Sequence, residues 1–215
     1  MTKRSTLQLT QDLVADLKPV RPLRSPWVRG VSWIMVVVLL LGAVALRLAN
    51  LHKFAQNLQH TDVAIECVAA LATGVISILA AFHASIPGPT RLWQRLPIIA
   101  GLGWLAATAY HCGMRTTAAN SGFGTMADGS DCFKFITITS VPLTVALLAF
   151  LRKARPLIPE AVGAYGALGI AAFAALLLQT LHHLEYAPAD LILHITAVGA
   201  VVAAGSFIGG RWLAR

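Results

Sequence analysis

The chain has 215 residues, 57% of them hydrophobic and only 12% charged, with a mean hydropathy of +0.70. That charged share is about half the ~25% of a soluble domain, and one water-soluble core of this size cannot hide so much apolar surface. Disorder, a collagen-like repeat and a secreted disulfide scaffold are excluded, and the net charge of +8 belongs with the loops of a membrane protein rather than with direct nucleic-acid binding.

The chain opens on a polar segment. Leu7, Leu13, Val14 and Leu17 approximate one helical stripe, with Thr10, Gln11 and Asp16 outside it. Thr6 or Thr10 is placed to cap this helix and Pro19 to end it. The stripe is too short to be stable alone. It suits the inner surface of a membrane or a groove on a partner, and the residues leave both open.

Six uncharged or nearly uncharged apolar runs follow, at 31–46, 64–86, 96–110, 135–151, 161–181 and 191–208. Arg29 and Arg47 bracket the first, and Asp62, Glu66 and Cys67 begin the second. Each run is too long for a strand, and its Leu, Ala and Val content favours helix. No small-residue cleavage site follows the first run, which reads as a retained signal anchor. The sequence therefore predicts an all-α protein: a polytopic integral membrane bundle of six transmembrane helices. Residues 1–27 form an N-terminal segment and 28–215 the transmembrane domain. Such a chain has no room for a separate catalytic domain, and no enzyme activity is expected.

Basic residues set the orientation. Lys3, Arg4, Lys18, Arg21, Arg24, Arg29, Arg91, Arg95, Arg152, Lys153, Arg155, Arg211 and Arg215 fall on one side, and only Arg47, Lys53, Arg115 and Lys134 on the other. The excess predicts that both termini are cytoplasmic. Trp27, Trp93 and Trp212 are then expected at the inner interface, with Tyr110 and Tyr186 at the outer one. Gly163, Gly166 and Gly169 recur on the fifth run, and Gly205 and Gly209 form a GxxxG on the sixth. Small residues of this kind let helices approach closely, and the GxxxG leaves open packing within the chain or a homodimer.

The central thirds of the six runs contain no Asp, Glu, Lys or Arg. Ion-coupled transporters place such groups near the midplane, so secondary transport is disfavoured. Reactive side chains collect instead at the outer ends: His111 and Cys112, Cys132, His182 and His183, and His194, with His52 and His60 in the first outer loop. Only His83 lies near the inner face. Thiol and imidazole suit zinc or copper, so no cofactor is obligatory, but a regulatory zinc or copper ion fits the donors. Alternatively, Cys112 and Cys132 bridge in an oxidising compartment. They would close a loop containing Gly113, Gly122, Gly124 and Gly129, worth about 3 kcal/mol in the chain-entropy description. None of the spacings is a strong metal signature. Cys67, among apolar neighbours, reads as a packing residue.

The stretch LTQDLVADLKPVRPL, the six short-looped runs, AAFHASIPG closing the second run and a cysteine before the fourth together resemble the NrsF-like membrane anti-sigma factors. The resemblance covers nearly the whole chain. Its most specific pieces are Asp12-Leu13-x-x-Asp16-Leu17-Lys18-Pro19-Val20 and Pro87-Gly88. It implies a bacterial inner-membrane protein that holds an extracytoplasmic-function sigma factor inactive and releases it when heavy metals or oxidants act on periplasmic cysteines. On that likeness Leu7, Leu13, Val14, Asp16, Leu17, Pro19 and Val20 contact the partner, and Cys132 is the cysteine before the fourth run. The family's second cysteine follows the fifth run in a Leu-His-Cys context, where this chain has Leu181-His182-His183. The matching position is His183, which weighs against a simple two-thiol switch. Either Cys112 is the partner thiol, or Cys132 and His183 ligate one metal ion with His111, Cys112, His182 or His194 completing the set. The second is favoured, since a Cys-to-His exchange keeps metal ligation and removes disulfide formation. Two rival classes are a haem-binding membrane oxidoreductase, which needs histidine pairs at both faces, and a small metal transporter, which needs midplane ligands.

Overall fold

The structure is a computed structural model that describes residues 6–15, 23–88, 90–119, 126–181 and 188–214. All regular elements among them are helical. In chain order they are α1 (Thr6–Ala15), α2 (Pro26–Leu48), α3 (Leu51–Asn57), α4 (Thr61–Ala84), α5 (Arg91–Ala119), α6 (Met126–Leu151), α7 (Pro159–Leu181) and α8 (Pro188–Trp212), with a 3-10 turn at Arg152–Ala154 after α6.

Local chemistry accounts for several boundaries. Pro26 opens α2 at a position where its missing N–H costs nothing. The Asn50 side chain accepts from the Lys53 amide at 3.1 Å and starts α3, a short helix the hydropathy pattern does not predict. After α4, Gly88 adopts φ +81°, a turn conformation in which a Cβ would be strained. Thr10 is not a cap: it sits inside α1 and donates its hydroxyl to the Thr6 carbonyl at 2.7 Å.

The helices outrun the apolar stretches that announce them. Hydropathy marks lipid contact, whereas backbone hydrogen bonding favours continuing the helix past it. The expected Gly-rich loop is therefore largely helix: Cys112 and Gly113 lie within α5, and Gly129 and Cys132 within α6. Five helical segments among the described residues are long and apolar enough to cross a membrane: Pro26–Leu48, Thr61–Ala84, Phe133–Ala154, Pro159–Leu181 and Leu191–Trp212. The third expected run, 96–110, belongs to α5 and is not among the five: Pro97, Gly101, Gly103 and Tyr110 dilute its apolar side chains.

The contacts divide the bundle into two ends. At the near end, the start of α2 meets the end of α4 and the start of α5, through Trp27, His83 and Trp93. At the far end, the start of α4 meets the last turns of α5 through Glu66 and His111. The end of α8 lies beside the start of α7, with Gly209 against Pro159. Successive long helices therefore run antiparallel.

The most enclosed helix is α7, which packs against α4, α6, α8 and α2. Its glycines step round the helix three residues at a time, so each faces a different neighbour. A Cβ on Gly163 would strike the Gly205 carbonyl of α8; one on Gly166 would come within 2.8 Å of Leu147 of α6; one on Gly169 would come within 2.7 Å of Ile78 of α4. Around these contacts Ile78, Phe82, Leu147, Leu148, Leu151, Val162, Ile170 and Phe173 form the main buried cluster. The GxxxG of α8 is thus occupied within the chain, Gly205 and Gly209 both lying against Gly163, and is not an open dimer seam.

Arg29, which flanks the first apolar run, is enclosed by the bundle. It is only 6% exposed, with its guanidinium 5.3 Å from the Phe82 ring and 5.5 Å from the Phe150 ring. Both rings belong to the last turns of their helices, and cation–π attraction to them offsets part of its lost hydration.

The α7–α8 seam yields a test. Gly163→Ala forces apart backbones already in contact and should cost about 1–3 kcal/mol. Gly199→Ala, where nothing lies within 4 Å of the added Cβ, should be neutral or gain up to about 1 kcal/mol in helix propensity. Thermal unfolding of the two variants in detergent measures the difference.

Candidate functional site

Two polar constellations lie at opposite ends of the bundle. At the far end, Asp62 and Glu66 stand four residues apart on α4 and so share one face. His111 reaches them from α5. Its Nδ1–H donates to Glu66 Oε2 at 2.5 Å, and its Nε2 stands 3.7 Å from Asp62 Oδ2. Glu66 is 2% exposed and His111 1%. Such groups tolerate burial only as partners, since either alone would forfeit its hydration uncompensated. The flanking residues Cys67 and Cys112 are buried too.

This pairing redirects the sequence expectations. His111 is held by carboxylates. His194, on α8, lies edge-on to Trp104 with ring centroids 5.6 Å apart. It lines an apolar cavity of about 280 Å³ between α5, α7 and α8, with Leu102, Leu105, Leu168 and Val198. Its Nε2 is buried with no hydrogen-bond partner among the described residues. Cys112 is enclosed in the α5 packing. His182 and His183 lie outside the described residues, as does the side chain of Cys132. Among the described residues no three His, Cys, Asp or Glu side chains gather to hold a metal ion.

At the near end, His83 stacks flat on Trp93, with centroids 4.2 Å apart and planes 4° from parallel. Trp27 sets its edge against both, at 5.2 Å from His83 and 5.4 Å from Trp93. These two tryptophans, expected at the inner interface, form with His83 one joint between α2, α4 and α5. A transmembrane haem relay has no counterpart to offer here, because His83 is the one histidine at this end among the described residues and its face is covered by indole.

Preceding this joint in sequence is the candidate partner segment. Leu7 and Val14, seven residues apart on one face of α1, are 75% and 61% exposed. Apolar side chains this open are what a partner's groove would cover. Asp16, Leu17, Pro19 and Val20 lie outside the described residues, as does the Leu13 side chain.

The Glu66–His111 pair was not legible beforehand, because its partners are 45 residues apart. The one signal was an acid set inside an apolar run.

A family model described as NrsF, negative regulator of sigma F, matches residues 13–214. No curated protein and no solved structure matches the chain.

Removing one partner of the far-end pair leaves the other buried and unsatisfied. Glu66→Ala should therefore destabilise the protein by about 3–5 kcal/mol. The Glu66→Ala/His111→Ala double variant should lose less than the two single losses combined. Unfolding midpoints of the four proteins in one detergent complete the cycle, and additive losses would show that the pair is not coupled.

Proposed function

The chain belongs to the NrsF family of negative regulators of sigma F, and from that premise we propose that it is an inner-membrane anti-sigma factor for an extracytoplasmic-function sigma factor. In this reading all six long helices cross the bilayer, α5 included, and both termini lie in the cytoplasm. The match over residues 13–214 carries the assignment, and the exposed face of α1 supports it. The near end, with α1 and Trp27, is read as cytoplasmic, which the distribution of Lys and Arg supports.

The N-terminal segment is the sigma-binding element, with Leu7, Leu13, Val14, Asp16, Leu17, Pro19 and Val20 as its contacts. A short helix of this kind gains stability only by burying its apolar face on a partner. While bound, it covers a surface the sigma factor needs for RNA polymerase.

The releasing signal acts at the far end, on the periplasmic side. Cys132 and His183 are its primary receptors, ligating a zinc or copper ion or, for Cys132, reacting with an oxidant. Cys112 and His182 complete the set. His111 and His194 are the weaker candidates, because His111 already bonds Glu66 and His194 lines the cavity beside α5. Shifting a bound population from 99% to 1% requires the signal to favour the released state by about 5.5 kcal/mol. A metal ion bridging helices is strong enough, since structural zinc sites contribute roughly 10–16 kcal/mol.

The test is capture of the sigma factor by the full-length protein in lipid nanodiscs, with and without added Zn²⁺, Cu²⁺ or peroxide. Wild type should bind and then release. Cys132→Ser should bind as tightly and fail to release, whereas Leu7→Asp with Val14→Asp should fail to bind at all. Normal release by Cys132→Ser would end the sensing assignment, and undiminished binding by the double aspartate variant would end the docking assignment.

A further inference from the structure

Helices α4 and α5 are fastened to each other at three levels. At the far end Glu66 accepts from His111. In the middle the Thr73 hydroxyl donates to the Ala100 carbonyl at 2.8 Å, which suits the bilayer interior, where a free hydroxyl would be costly. At the near end His83 stacks on Trp93. The outer fastenings are about 25 Å apart along α4, at 1.5 Å per residue. All three belong to one antiparallel register, so slipping one helix past the other breaks them together. The pair therefore moves as one body, or pivots about the central hydrogen bond.

The near-end fastening also holds α2. Trp27 touches both members of the His83–Trp93 stack. Two residues further along α2 is the buried Arg29, which rests on Phe82 of α4 and Phe150 of α6. Beyond these residues α2 is the least enclosed of the apolar helices, presenting Val31, Met35, Val36 and Leu39 outward. The position of its first turn, and hence of the segment leading into it, is set at the near end chiefly by Trp27 and Arg29.

We propose that α4 and α5 form a lever whose far-end Glu66–His111 latch sets, through the His83–Trp93 stack, the position of Trp27 and the presentation of the N-terminal segment. This rests on the anti-sigma reading for its output, but not for its mechanics. Glu66 and His111 are positioning residues, each adjacent in sequence to a buried cysteine, Cys67 and Cys112. Opening the latch leaves a carboxylate and an imidazole without each other in a dry site, which favours separation of the α4 and α5 ends. A pivot at Thr73–Ala100 carries that separation to the opposite end. Flat ring stacks resist lateral displacement weakly, so Trp27 follows.

Hydrogen exchange of the full chain in nanodiscs tests the lever without any ligand. The Arg29 amide, bonded to the Ser25 carbonyl at 3.1 Å, reports the first turn of α2. Glu66→Gln keeps the size and an acceptor but removes the charge. It should speed exchange over residues 25–32 by about tenfold, although the substitution is a membrane's width away. His111→Asn, used alongside in case either variant fails to give monodisperse protein, should do the same. Trp93→Leu should by itself raise exchange there and abolish the added response to Glu66→Gln. Exchange over 25–32 unchanged by both far-end substitutions, while the far ends of α4 and α5 loosen, would overturn the lever. The two readings fail separately. A responsive first turn in a protein that captures no sigma factor removes the partner and keeps the lever, and capture with an indifferent first turn removes only the lever.

Discussion

Backbone contact along α7 is the constraint on which the rest of the structure depends. Lipid tails are as apolar as Leu, so no hydrophobic gain gathers helices inside a bilayer; close packing and shared polar groups must do so. Gly163, Gly166 and Gly169 remove the side chains that would hold neighbours off, and α8, α6 and α4 close in on three sides. With α4 held against α7 by Ile78 and by Gly74 packed under Phe173, α5 and α2 have a rigid surface to dock on. The polar fastenings between α4 and α5 are then additions to a frame already set by shape.

That frame explains why charged groups survive where they do. Arg29 and Glu66 are each buried, but neither is near the middle of its helix, and each meets a side chain of a neighbouring helix. The guanidinium has two phenylalanine faces. The carboxylate has an imidazole. A charge moved two turns further inward would lose both options and the nearby interface as well. Polar pairs at each end, with the Thr73 hydroxyl bonded to the Ala100 carbonyl in the middle, therefore fasten α4 to α5 along its length.

In the proposed reading, the same arrangement separates two tasks in one small chain. Exposed apolar side chains on α1 suit a surface that is covered and uncovered, because a weakly stable helix exchanges partners at little cost. The buried far-end pair suits a set point, because breaking it is expensive and its two states are discrete. Between them lies the aromatic joint, in which His83 and Trp93 stack flat and Trp27 meets both edge-on.

Much of this was legible in the amino-acid order. Six apolar runs announce the long helices, the Lys and Arg distribution predicts an orientation, and the LTQDLVADLKPV stretch with Pro87-Gly88 already resembles the family that residues 13–214 match. These features are local: hydropathy, spacing and turn chemistry need no knowledge of what lies across the bundle. Where helices stop was less legible, since Cys112 and Cys132 sit in helices that continue beyond their apolar stretches. The pairing of side chains was not legible at all. Whether Gly205 and Gly209 seat a neighbour within the chain or a second copy, whether Trp27 and Trp93 anchor separately or meet around His83, whether Arg29 is solvated or enclosed, and which acceptor His111 donates to are all fixed by helix rotation and crossing. Those degrees of freedom cost nothing to write into a sequence pattern and become definite only when backbones touch, so the tertiary structure alone decided them.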